Sequence, residues 1–381
     1  MLTRRQALKS AAAVAAASSL AKPAIAAKDP IRIGYLPALT GPSSSTGVGI
    51  NRGTQLAVEE INTAGGIRGR PLELVIRDDF GDPDSAVAVA SALVEARVVA
   101  VIGDVYSGTT LAAAPVYNDA SDPVVQISPS SSSPDVTNAG AYTFRVCPSD
   151  LAHGAALARY AREQLGLDRV AILYLNDDYG RGIRRTFTAE FTQRGGTVLE
   201  SDPYLGSTPN VDAYLDRIVL RKRSQFVLVA GNRSEAEEAL LGARKRGLKV
   251  PFMGGDGLEG IEEAGPLAEG TYVSAAYLPG VNSPKNRQFT VSYRRKYPDA
   301  GLPNQPAAAT YDVVYLLRDV IESTGTKRKA IRDAVAAVGR TTPAFEGVTG
   351  KIAFDENGDV PEQRVIIGIV QGGNVQPAGG Q

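Results

Sequence analysis

From Ile31 onward the chain alternates short, continuously apolar runs with longer amphipathic stretches, and this rhythm limits the possible folds more than any motif does. "IRIGYLPAL" precedes "GINRGTQLAVEEINTAGG", "LELVIRDD" precedes "PDSAVAVASALVEA", and "VVAVIGD" precedes "TTLAAAPVYNDA", after which comes "PVVQIS". The short runs lack in-out alternation, as expected of parallel strands covered on both faces. Strands of that kind separated by helices predict a doubly wound α/β sheet. The first helix of the second pair opens at Asp82 or Asp84. The rhythm restarts after Pro148 with "DLAHGAALARYAREQLG", "RVAILYLN", "GRGIRRTFTAEFTQRGG", "TVLESDPY", "VDAYLDRIVLRK", "QFVLVAG", "SEAEEALLGARKRG" and "PFMGGDG". A second βα lobe therefore spans about Pro148 to Tyr277. Two long helices follow, "YDVVYLLRDVIEST" and "KRKAIRDAVAAV". "GKIAFDENGD" and "QRVIIGIVQGG" then read as a strand, an Asn-Gly turn and a strand. At 381 residues the chain exceeds what one compact core holds, so two domains are expected. The extra C-terminal elements predict a clamshell whose chain crosses between lobes more than once.

One segment resists this reading. "QISPSSSSPDVT", Gln126 to Thr137, holds five serines and two prolines. Its composition is that of a flexible linker. Its flanks, "DPVVQIS" and "YTFRVCPSD", read as core strands, and a loop this short between them belongs to a fold.

Charge and rare residues exclude several functions. Lys+Arg and Asp+Glu both number 41, which gives no reason to expect nucleic acid or an anionic membrane as partner. One cysteine (Cys147) and one histidine (His153) leave little material for metal sites or nucleophilic triads. There is no G-x-x-x-x-G-K-[ST] loop and no H-E-x-x-H. "GVGINRG" (Gly47, Gly49, Gly53) has one residue too many for a dinucleotide loop, and "VYSGT" lacks the spacing of a nucleophile elbow. His153 follows Ser149 and Asp150 in the first turn of a helix, where a solvated or capping role is expected. Cys147, in an apolar strand, is expected to be an inert buried thiol. "DDFGDPD" and "NDD" follow strand ends and read as turn and cap residues. No catalytic residue, cofactor or metal is expected.

Residues 1–26 have the layout of an export signal. Paired arginines in "MLTRRQALK" precede the mildly apolar "SAAAVAAASSLA", and "AIA" at Ala24 to Ala26 fits a cleavage site. "TRRQALK" resembles the twin-arginine variety, with an ordinary secretory signal as the alternative. No cysteine near the cleavage site offers a lipid anchor, and no later run of ~20 apolar residues could span a membrane. Cys147 alone can form no internal disulfide.

Eight motifs in order carry a resemblance. They are "IRIGYLPALTGPSSSTG", "AVEEINTAGGIRGRPLELVIRDDFGDP", "VIGDVYSGTT", "ISPSSSSPDVT", "LYLNDDYGRG", "FMGGDG", "ATYDVVYLL" and "FDENGD". Together they resemble the substrate-binding proteins of branched-chain amino-acid ABC transporters. The resemblance implies a type I periplasmic binding protein fold, two doubly wound Rossmann-like lobes joined by a three-crossover hinge. Lobe one would be residues 28–147 plus 278–365, and lobe two 148–277 plus 366–381. It also implies a ligand held in the cleft by Ser107 and Thr109 of one turn and Ser130 and Ser132 of another. Ser107 opens a helix, where free backbone N–H groups and the helix dipole favour an anion. Ser132 and Ser133 precede "PDVT", a second helix start. From lobe two come Tyr179 of "DDYG" and Asp256 of "GGDG", the latter expected either to meet a ligand ammonium or to cap its turn. Two departures mark this sequence. Asn232 stands where the best-known leucine binders carry an aromatic residue. Gly81 and Tyr106 stand where those binders place cysteines, and Tyr106 sets a bulky ring beside the pocket.

The resulting expectation is a monomeric periplasmic receptor that closes on one small amino acid and delivers it to an ABC permease. The same fold could instead take an aromatic or aliphatic carboxylate, an amide or urea. Rival classes are an exported enzyme and a ligand-sensing module of a receptor kinase.

Overall fold

The computed structural model describes residues 29–40, 44–204, 211–221 and 223–379, so the predicted export signal lies outside the described residues. The first sheet is built from β1 (Ile31–Tyr35), α1 (Ser44–Thr63), β2 (Leu72–Ile76), α2 (Pro83–Glu95), β3 (Val101–Ile102), α3 (Ser107–Asn118), β4 (Gln126–Ser128) and β5 (Thr143–Arg145). Its strands are all parallel, in the order β2-β1-β3-β4-β5. Local chemistry sets the helix starts. At α2, Asp82 is the cap, its carboxylate accepting from Ser85 N–H (2.8 Å), with Pro83 in the first turn where its fixed φ fits.

A second unit repeats the plan with α4 (Asp150–Arg159), β6 (Arg169–Leu175), α5 (Asp178–Gln193), β7 (Thr197–Tyr204), α6 (Asp212–Arg221), β8 (Phe226–Ala230), α7 (Arg233–Lys245), β9 (Phe252–Gly254) and β10 (Tyr272–Ala275). Parallel order is β7-β6-β8-β9-β10, the same winding as the first sheet. All five residues of β8, "FVLVA", are buried, as a strand covered on both faces requires.

The chain then returns to the first core. Helices α8 (Pro284–Lys296), α9 (Gln305–Thr324) and α10 (Arg328–Ala337) place Phe289, Tyr293, Val313, Leu317 and Ile331 in one apolar cluster with Ile33, Tyr35 and Ile127 of the first sheet. A short pair, β11 (Phe345–Glu346) and β12 (Lys351–Ile352), follows. β13 (Ile366–Gln371) and β14 (Asn374–Pro377) end the chain as antiparallel edge strands beside β10. "DENGD" does not join neighbouring strands. Asp355 Oδ1 accepts from the N–H groups of Asn357 and Asp359 (both 2.9 Å), closing the turn on itself, while β13 pairs with β10.

In both sheets the strand order reverses between the first and third strands laid down, β1 and β3 or β6 and β8. Loops leaving the carboxyl ends of such strands diverge and open a crevice, the usual ligand position in open α/β sheets. Here the two crevices face each other.

Candidate functional site

One cleft joins them. It holds about 480 Å³ of space free of atoms, counted out into open solvent. Thr46, Val105, Tyr106, Ser107, Ser130, Gln305 and Pro306 line it from the first core. Tyr179, Asn232, Asp256, Gly257 and Glu259 line it from the second. Six of the eight predicted residues are thus brought together: Tyr106, Ser107, Ser130, Tyr179, Asn232 and Asp256.

Ser107 is the first residue of α3, and no side chain caps that helix start. The first-turn N–H groups of a helix have no intrahelical partner and suit an anion. The Ser107 hydroxyl accepts from Ser133 N–H (3.1 Å), which couples this helix start to the serine run. The run itself is tied down throughout. Ser130 Oγ donates to Val105 O (2.7 Å), Ser128 Oγ donates to Asp104 O (2.7 Å), and Thr110 Oγ1 meets Ser131 Oγ (2.7 Å). Behind it, the fully buried Arg145 donates to Ser131 O (3.3 Å), Ser133 O (2.8 Å) and Thr137 Oγ1 (2.8 Å), and pairs with Asp359 (2.7 Å). The run is a fixed loop of the fold.

Two predicted residues fall outside the lining. Thr109 is buried and its hydroxyl donates to Tyr106 O (2.9 Å), the usual bond of a threonine to the preceding turn. Ser132 is also fully buried. Its carbonyl accepts from Asp150 N–H (2.7 Å), and its hydroxyl lies by the Asp150 carboxyl instead of lining the cleft.

Across the cleft, Tyr179 Oη donates to Asp256 Oδ1 (3.0 Å) and accepts from Gly257 N–H (2.7 Å). Burial, reinforced by Asp256, pushes the Tyr179 phenol far above its ordinary pKa, so it stays a neutral donor. Gly257 must be glycine, because an added Cβ would stand 2.6 Å from Gly231 O and 2.7 Å from the Tyr179 ring. His153 departs from the solvated role expected for it. It is fully buried, its Nδ1 2.9 Å from Ser274 Oγ and its Nε2 3.7 Å from Asp256 Oδ2. Burial lowers its pKa, so it backs Asp256 as a neutral imidazole. Beside it, Asp150 is buried and its carboxyl is pushed well above the usual carboxylate range by that burial. Cys147 is a buried free thiol just past β5, its pKa raised by burial.

Sequence reasoning missed Thr46, Glu259, Gln305 and Pro306. Glu259 Oε1 accepts from Gln305 N–H (3.1 Å), and Gln305 Oε1 accepts from Ala276 N–H (2.6 Å), so these two residues close one end of the cleft. The available signal was Asn304-Gln305-Pro306, a cap followed by proline at a helix start. Gly81 and Tyr106, far apart in sequence, meet: with φ at +69°, a Cβ on Gly81 would lie 3.0 Å from the Tyr106 ring.

The sequence profile of the periplasmic binding protein family matches residues 30–374. The chain belongs to that family. It is 31% identical over 339 residues to the leucine-, isoleucine-, valine-, threonine-, and alanine-binding protein of Pseudomonas aeruginosa, covering 88% of each chain. Among solved structures it is similar to the branched-chain amino acid transporter substrate binding protein LivJ of Streptococcus pneumoniae in complex with isoleucine. That match has a TM-score of 0.84 and 28% identity, over 91% of this chain and 98% of the other. A solute binding protein of R. palustris in complex with benzoate superposes at a TM-score of 0.83 with 22% identity, over 92% and 96% of the two chains. The last match shows the fold alone. The type I periplasmic binding fold expected from the motifs therefore holds.

Proposed function

We propose that this periplasmic binding protein captures a small α-amino acid between two lobes and delivers it to the permease of an ABC importer, acting as a monomer in the periplasm. The observation that carries this reading is a separation of charge preference within one cleft. An uncapped helix start at Ser107 lies on one side and the braced carboxylate of Asp256 on the other, a match for the two charges of a zwitterion. Its relatives that bind amino acids support the same class. Buried Cys147 and neutral, buried His153 favour capture over turnover. The lobes are residues 28–147 with 278–365 and 148–277 with 366–381, bending at Cys147–Ser149, Tyr277–Gly280 and Val365–Gly368. The export signal, by either route, would be cleaved near Ala26.

The test compares an amino acid with its deaminated analogue by calorimetry, on wild type and on Asp256→Asn. Wild type should prefer the amino acid strongly, and the variant should lose much of that preference. Equal binding of both ligands by wild type would sink the amino-acid assignment in favour of simple carboxylates stacking on Tyr106 and Tyr179.

A further inference from the structure

Among the described residues the cleft lining contains two acidic side chains and no basic one. In the reading above Asp256 takes the ligand ammonium, which leaves Glu259 without a role. Glu259 immediately follows the short turn Asp256–Leu258, three residues beyond Asp256. One of its oxygens accepts from Gln305 N–H (3.1 Å), and the other has no hydrogen-bond partner among the described residues. Burial raises its pKa to about 8, and an N–H donor placed against its free oxygen would favour the ionised, accepting form.

Its surroundings are polar. The second turn of α1 packs against the cap of α9 here, since a Cβ on Gly49 would lie 2.6 Å from Asn304 Oδ1. They bring Thr46, Gln305 and Pro306 to the same cleft as Glu259 and Asn232. Among the described residues no leucine, isoleucine, methionine or phenylalanine lines the cleft, whose apolar surface comes from Val105, Pro306 and two tyrosine rings. An aliphatic side chain closed into this space would cover the Glu259 carboxyl and return no hydrogen bond. Sites built to hydrogen-bond a ligand group strongly reject the analogue that lacks it.

We propose that Glu259 is a specificity-determining residue that selects an α-amino acid whose side chain ends in an N–H donor, a carboxamide or an amine, over an aliphatic side chain of similar size. This deepens the amino-acid reading and rests on it. The carboxamide and the amine share the donor and differ in charge.

Calorimetry with glutamine, lysine, leucine and norleucine, on wild type, Glu259→Leu and Glu259→Gln, tests this. Wild type should bind glutamine or lysine about ten- to a hundredfold more tightly than norleucine and leucine, the size of one unmet buried hydrogen bond. Glu259→Leu should collapse or invert that ratio. Glu259→Gln should keep a preference for glutamine and lose any for lysine, which separates the amide arm from the amine arm. A merely structural role through Gln305 would weaken all four ligands alike and leave the ratio unchanged in Glu259→Leu, and that result overturns the inference. Leucine or norleucine binding wild type as tightly as the nitrogen-bearing ligands overturns it too, with the amino-acid reading intact. Binding of none of the four overturns both.

Discussion

The phenol of Tyr179 stands between two partners, donating to Asp256 Oδ1 at 3.0 Å while accepting from Gly257 N–H at 2.7 Å. The brace and the carboxylate come from different elements of the second unit, 77 residues apart. Tyr179→Phe should therefore loosen the carboxylate without removing it. A hydrogen bond to a charged group contributes roughly 1.5–3 kcal/mol, so ligand affinity should fall about ten- to a hundredfold. Calorimetry reads this directly, and wild-type affinity in the variant would place Tyr179 outside the site.

Ser107 and Ser132 should behave differently. Ser107 lines the cleft and receives Ser133 N–H, whereas the Ser132 hydroxyl is buried beside Asp150. Ser107→Ala is expected to weaken binding by about tenfold or more through the lost hydroxyl. Ser132→Ala should weaken it far less. The reverse order in a titration of both variants would return the carboxylate contact to Ser132.

Arg145→Met removes one member of a buried ion pair and frees three acceptors of the serine loop. Breaking such a pair from one side typically costs about 3–5 kcal/mol. The variant should melt well below wild type and bind more weakly even at temperatures where it is folded. A melting temperature within a degree or two of wild type would show that the loop holds itself.

Asp104 and Asp79 form a buried carboxyl pair under the first crevice. Gln126 Nε2 donates to Asp104 Oδ2 (2.5 Å) and Asp104 donates to Asp79, with Tyr117 and Asp78 as the other titratable neighbours. Burial raises both carboxyls, and Asp79 raises Asp104 further. The sign follows from proton linkage. Below the ordinary aspartate pKa of ~3.9 the stabilisation is complete, because folded and unfolded chains both hold the protons. As pH rises the unfolded chain releases them first, and the contribution declines until the raised folded-state pKa is passed. Asp104→Asn keeps a donor toward Asp79 permanently. Its melting temperature should decline less than that of wild type between pH 5 and pH 9, and parallel curves would rule out a shared proton.

Strands buried along most or all of their length were the most legible. "FVLVA" and "RVAILYL" announce strands because nothing polar interrupts them, and Ser107 announces a helix start by its position after "VIGDVY". Helix α8 escaped because its sequence is mostly polar, with Phe289 and Tyr293 alone repeating toward the core. β14 escaped because only its pairing with β13 makes it a strand. His153 was misjudged for a related reason: its partner Ser274 is 121 residues away, and no local pattern reports such a contact. The Glu259–Gln305 closure, spanning 46 residues, was hidden in the same way.

The guanidinium behind the serine loop has an evolutionary consequence. That half of the cleft is locked from the interior, and in the proposed reading it keeps one grip on whatever every amino acid has in common. Asn232 and Glu259 sit at the start of α7 and just past a short turn, away from the Arg145 network. If they select the side chain as proposed, single substitutions there would change the organism's diet while the inherited handle stays where it was.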